Sequence, residues 1–158
     1  MENSYSVSIG NSGEYFVAAE LERRGFTVAV PMSNTKDFDI LVINRETNRQ
    51  VALQVKTNRT KTKSWMLTKK CENLQGVNIY YVFVSLNDFD APDYYVVESN
   101  IVAESMRIGY EKWISTTGKN NKKHKDTSMR KFSFDVDGVS NIFSLCSEDY
   151  KSKWDKLK

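Results

Sequence analysis

The sequence predicts an α/β domain built around a mixed sheet. Three observations carry that expectation. Two stretches, residues 11–25 and 99–115, repeat apolar residues at helical spacing. Between them lie five short runs rich in β-branched and aromatic residues. Their order is helix, three strands, a short connection, two strands, helix, which layers helices on a sheet. A chain of 158 residues suits one domain over 1–158, and it can bury a core without a disulfide or metal.

The elements are taken in chain order. NSGEYFVAAELERRG reads as the first helix, with Asn11 as its cap, Glu14 completing a capping box and Gly25 ending it. FTVAV is a strand stopped by Pro31. FDILVIN and QVALQVKT are two strands joined by RETNR, a hairpin. The basic segment 58–78 reads as mostly irregular, with a short helix near Leu67 to Leu74. IYYVFVS is a buried strand, DFDAP a turn and DYYVV another strand. SNIVAESMRIGYEKWIS is the second helix, capped by Ser99 or Asn100. KFSFDVD reads as a short edge strand, and SEDYKSKWDKLK as a short terminal helix. Residues 10–85 thus form a core, and residues 98–158 a helical and basic-loop extension.

Composition narrows the chemistry. The hydrophobic share of 40% and charged share of 27% are those of an ordinary soluble protein. No signal peptide or membrane span is expected, so the expected location is the cytoplasm. Cys71 and Cys146 have no metal-ligand spacing and read as free thiols. With His124 as the one histidine, a Cys/His zinc site lacks ligands. A Ser-His-Asp triad lacks its nucleophile elbow, and no glycine-rich phosphate loop is present. Carboxylates and lysines are left to carry any catalysis. Net charge is only +3, but six basic residues and no acid lie between Lys56 and Lys70. Another six, against Asp126, lie between Lys119 and Lys131. Such loops are either solvated surface or phosphate-binding patches.

The hairpin gathers polar residues. If its turn is centred on Glu46-Thr47, Asp39 falls opposite Gln54, and Asp37 opposite Lys56. All four share one face, because sides alternate along a strand. On the first helix, with Glu14 at zero, Ala18 falls near about 40° and Leu21 near about 340°. Glu14 therefore lies on the packing face, where a carboxylate needs a partner. The blander alternatives are a helix-capping role for Glu14 and a cross-strand salt bridge at the sheet end. The chemical alternative is a hard divalent cation, Mg²⁺ or Mn²⁺, held by Glu14, Asp39, the Gln54 amide oxygen and the Val55 carbonyl. Lys56 would then orient a water and stabilise charge on a phosphate. Arg59, Lys61 and Lys63, with Lys122, Lys123 and Lys125, would grip a nucleic-acid backbone. Trp65, just past Lys56, is the candidate for base stacking. Trp154 can also stack; Trp113, on an amphipathic helix, is expected in the core. His124 reads as a solvated loop residue able to touch phosphate.

These residues resemble the PD-(D/E)XK nucleases. A helix bears Glu14, Asp39 precedes an apolar strand, and Gln54-Val55-Lys56 stands at the (D/E)-x-K motif. The flow GEYFVAAELERRGFTV, FDILV, ALQVKT is similar to the Holliday-junction resolvase and Mrr-like restriction branches. The likeness covers roughly residues 10 to 85, and the chain beyond residue 85 resembles small bacterial members. It implies a restriction-endonuclease-like three-layer core with a central four-stranded mixed sheet flanked by helices. It also implies Mg²⁺-dependent cleavage of DNA, branched DNA included, and permits a homodimer. Two departures stand out. Phe38 replaces the usual proline before the aspartate, and Gln54 replaces an acid, as in Mrr-like members. Gln54 keeps two other readings open: a catalytically weak or inactive nucleic-acid-binding module, and a protein-interaction domain with a structural polar cluster.

Overall fold

The fold is described from a computed structural model over residues 2–31, 38–118, 121–135 and 145–158. Helix α1 runs Glu2–Arg23. It starts well before Asn11, so the expected capping box does not exist, and Asn11 and Glu14 are interior helix residues. The upstream turns form because Ile9 packs against the main core, which offsets the weak helix propensity of Gly10. The end is as expected. Gly25 takes a left-handed φ of 87°, and its N–H donates to Glu22 O at 3.0 Å.

β1 (Phe26–Ala29), β2 (Ile40–Asn44) and β3 (Gln50–Asn58) form an antiparallel meander. β4 (Ser64–Thr68) leaves that sheet and leads into a single 3-10 turn at Lys69–Glu72. β5 (Ile79–Ser85) returns parallel to β3, and β6 (Asp93–Glu98) pairs antiparallel to β5. The central sheet is therefore mixed and five-stranded, ordered β1-β2-β3-β5-β6. That is one strand more than the resemblance implied.

The hairpin register pairs Ile40 with Leu53 and Val42 with Val51, as a turn centred on Glu46-Thr47 requires. Asn44 Oδ1 holds that turn, accepting the N–H groups of Glu46 (2.8 Å) and Thr47 (3.0 Å). One sheet face presents Ile40, Val42, Val51, Leu53, Val55 and Val82 to Val17 and Leu21 of α1, with Trp154 and Leu157 beside them. The other presents Tyr81, Phe83, Tyr95 and Val97 to helix α2 (Ser99–Ser115) and to a small sheet of β4 with β7 (Met129–Ser133). The layers are α1, the central sheet, and α2 with the small sheet.

Three local expectations are corrected. Residues 64–68 are a strand because Trp65 and Leu67, two apart, both face the second core. Neither Ser99 nor Asn100 caps α2; Glu98 holds the cap position without a side-chain bond. The Ser99 hydroxyl is instead tied to Gly76, accepting its N–H and donating to its carbonyl. The tail is two 3-10 turns, Ser147–Asp149 and Trp154–Leu157, rather than a helix. Between them the chain lies along β6, where Val96 N–H donates to Tyr150 O and Ser152 N–H to Tyr94 O. That covers a sheet edge that would otherwise be bare. Among the described residues, no helix is long and apolar enough to cross a membrane.

Candidate active site

The site forms where β2 and β3 part. Asp39 stands just before β2, and its N–H donates to Leu53 O at 2.8 Å, the last backbone bond of the pair. Beyond that point its side chain takes over from the ladder. Asp39 Oδ2 accepts the Val55 N–H at 2.8 Å and a bond from Gln54 Nε2. Oδ1 has no hydrogen bond among the described residues. Gln54 and Lys56 project from the face of β3 opposite Val55, in register with Tyr81 and Phe83 of β5. Lys56 is half-buried and makes no ion pair among the described residues. Its predicted partner Asp37 lies outside the described residues.

Glu14 comes from α1, which packs on the Val55 face. It is linked to this site by charge, with no hydrogen bond or ion pair to Asp39, Gln54 or Lys56 among the described residues. The close seating of the helix depends on Gly13, where a Cβ would meet Thr57 Oγ1 at 1.9 Å. Glu14 is half-buried, and its pKa is raised, first by burial and then by the charge of Asp39, while Lys56 opposes the rise. The Glu14 carboxyl on the helix thus feels both the Asp39 charge and the Lys56 ammonium of β3. Gly13 and Thr57 were not singled out from sequence. Thr57 Oγ1 is buried without a hydrogen-bond partner among the described residues. The signal available for Gly13 is its position as a small residue just before Glu14.

The donors suit a hard cation. Glu14, Asp39 and the Val55 carbonyl offer oxygen, as Mg²⁺ and Mn²⁺ require, and Gln54 offers its oxygen only once its amide is turned, because Nε2 now faces Asp39. Two interacting carboxylates, one with raised pKa, make an anionic spot that a cation would relieve. Among the described residues, no group of three or more His, Cys, Asp and Glu side chains converges as a metal cage. The fit therefore depends on Gln54 and the backbone carbonyl beside two acids.

The basic loops are less bare than the sequence implied. Arg59 pairs with Asp88 at 3.0 Å and Lys61 with Asp90 at 3.1 Å, acids supplied by the β5–β6 turn. Both pairs are exposed and weak, so a phosphate can compete for the cations. Lys63 is committed elsewhere: its Nζ donates to Asp135 Oδ2 and to Ser147 Oγ, both at 2.7 Å. It ties the start of β4 to the tail and is not a free phosphate contact. Trp65 is no stacking residue. It is 3% exposed, packs on Phe83 and Tyr95, and donates its indole N–H to Val84 O at 2.9 Å. Trp154 is equally buried, at 2%. Trp113 departs from expectation in the other direction. It is 39% exposed, with His124 stacked on it at 4.1 Å between ring centroids. Lys122, Lys123 and Lys125 are exposed as expected.

No protein-family model matches the chain, and no curated protein matches it by sequence. Among solved structures, a bacterial homing endonuclease aligns over 93% of this chain and 86% of its own. The identity is 14% and the TM-score 0.51. A Holliday junction resolvase from the archaeal hyperthermophile Archaeoglobus fulgidus aligns over 78% of this chain and 83% of its own, at 14% identity and a TM-score of 0.45. The first likeness shows the fold: a mixed central sheet of five strands flanked by helices, of the restriction-endonuclease-like class.

Proposed function

We propose that this chain is a metal-dependent endonuclease that hydrolyses DNA phosphodiester bonds. One observation carries the reading. The Asp39 carboxylate is fixed by Gln54 and the Val55 N–H, within electrostatic reach of Glu14, whose carboxyl also feels Lys56. In this reading Glu14, Asp39, Gln54 and the Val55 carbonyl hold Mg²⁺ or Mn²⁺. The ion, when bound, supplies positive charge to the scissile phosphate. Asp39 is preorganised, because its two hydrogen bonds use Oδ2 and leave Oδ1 to face a ligand. Gln54 must turn its amide half a revolution, since its nitrogen now faces Asp39. Lys56, with no carboxylate paired to it among the described residues, orients the attacking water and offsets charge on the phosphate oxygens. Asp37 is proposed as an auxiliary carboxylate. Arg59, Lys61, Lys122, Lys123 and Lys125 are the proposed contacts to the sugar–phosphate backbone. Cytoplasmic location, a homodimer acting on two strands and a branched DNA substrate complete the proposal.

The test is plasmid cleavage. Supercoiled DNA with Mg²⁺ or Mn²⁺ should be nicked by the wild type. Lys56→Ala should lower the rate by at least about a hundredfold, and chelation should abolish it. A second reading, an inactive nucleic-acid-binding module, is favoured by Gln54 itself, which donates to Asp39 and adds no negative charge. It predicts no nicking by either protein, with salt-sensitive retardation of DNA by both.

A further inference from the structure

A groove lies between α2 and the small sheet, lined by no residue of the Asp39 site. Its volume is about 440 Å³, within the range of small-ligand pockets. Met66, Met129 and Lys131 form its floor, and Met106, Tyr110 and Trp113 its wall. Met66 and Lys131 are register partners on the outward face of β4 and β7. The groove is mostly apolar, and its rim is basic. Just past the end of α2, Gly118 N–H donates to Lys122 O and Thr117 bridges Lys123. His124 stacks on Trp113, and Lys123 and Lys125 are its exposed neighbours in the chain.

Two of the nearby acids are paired with arginine, while Asp126 is bonded to a neutral hydroxyl and keeps its charge beside Lys125 in the chain. Asp126 accepts the Tyr110 hydroxyl, Glu72 pairs with Arg130, and Glu111 pairs with Arg107. Lys122, Lys123, Lys125 and Lys131 make no ion pair among the described residues. A part-exposed indole, stacked by His124, and exposed thioethers, with Lys131 in the lining and Lys123 and Lys125 flanking His124 in the chain, complement a ligand that is flat and apolar in one part and anionic in the next. An unpaired nucleotide of a single strand has that chemistry, with a base to stack and phosphates on both sides. A duplex hides its base faces and can engage only the lysines.

We propose that this groove binds single-stranded nucleic acid, seating one unpaired base against Trp113 and Met129 with its phosphates on Lys131 and the Lys122–Lys125 loop. The proposal takes the nucleic-acid side of the proposed function but not hydrolysis. It is tested in chelator on the Lys56→Ala background, so a failure of cleavage does not affect it. Anisotropy of a labelled oligo-dT and of a labelled duplex gives the two affinities. Trp113→Ala should weaken oligo-dT binding about tenfold and leave the duplex within about twofold. Trp113→Phe should restore most of the loss. A Lys123→Ala/Lys125→Ala pair should weaken both ligands and flatten the salt dependence. Oligo-dT should also quench tryptophan emission, since Trp65 and Trp154 are buried. Equal losses on both ligands, no loss with Trp113→Ala, or no binding of oligo-dT would overturn the proposal. So would sedimentation showing a dimer that Trp113→Ala dissociates, because the groove would then seat a second copy.

Discussion

The Asp39 carboxylate stands in for a strand: its Oδ2 accepts the Val55 backbone N–H at 2.8 Å where β2 has already left β3. A ladder position that would leave a donor unpaired instead positions an acid. Asp39→Asn can still accept that N–H through its amide oxygen. It should therefore cost at most about 1 kcal/mol of stability, while cleavage falls at least about a hundredfold. Denaturant melts and nicking rates separate the two effects.

Gln54→Glu should exchange metal-free stability for metal affinity. A third carboxylate beside Asp39 adds like-charge repulsion where Nε2 now donates a hydrogen bond. In chelator the variant should melt below wild type. The Mg²⁺ concentration for half-maximal nicking should fall about tenfold. An unchanged Mg²⁺ requirement would remove Gln54 from the ligand set.

Glu14 is held at a cost to the fold. Its pKa is raised by burial and by Asp39, so the folded state favours the protonated form. For such a group stability falls as pH rises through the raised pKa. Glu14→Gln should therefore raise the melting temperature in chelator at neutral pH and flatten this part of the pH profile. It should also abolish the rise in melting temperature that Mn²⁺ gives the wild type.

Two glycines on α1 should respond oppositely to alanine. A Cβ at Gly10 meets nothing within 4 Å, so Gly10→Ala should stabilise the protein by about 0.5–1 kcal/mol. At Gly13 the Cβ would strike Thr57, and Gly13→Ala should cost about 1–3 kcal/mol. It should lower cleavage as well, because the helix that bears Glu14 is pushed off β3.

Acid should weaken the link between β4 and the tail. The Lys63 ammonium and the hydroxyl and N–H of Ser147 hold Asp135 down to about 2. A depressed carboxylate pKa stabilises the fold above its ordinary value, and that stability is lost as pH falls toward about 2. Asp135→Asn should lower stability at pH 7 by no more than about 1 kcal/mol, since the pair is solvent-screened. Its melting temperature should then change less than wild type between roughly pH 4 and 2.

What was legible in the sequence is local. The alternation of Ile40 and Val42 against Val51 and Leu53, with a turn between, sets the register that brings Asp39 to Gln54. Whatever depended on distant partners was hidden. Trp65 sits among lysines and threonines, and its strand pairs with β7, far along the chain. The run from Arg59 to Lys63 looks unopposed until folding brings Asp88, Asp90 and Asp135 to it. Trp113 follows the period of α2, but its turn reaches past the packed core to the groove and His124. The early start of α1 answers to Ile9 meeting a core assembled from other strands.

A crystal soaked in Mn²⁺ is the sharpest test of the proposed metal site. An anomalous peak is expected about 2.1 Å from oxygens of Glu14 and Asp39, with the Gln54 amide turned so that Oε1 faces it. A Gln54 amide still donating to Asp39, with no manganese between Asp39 and Glu14 at saturating concentration, would contradict it.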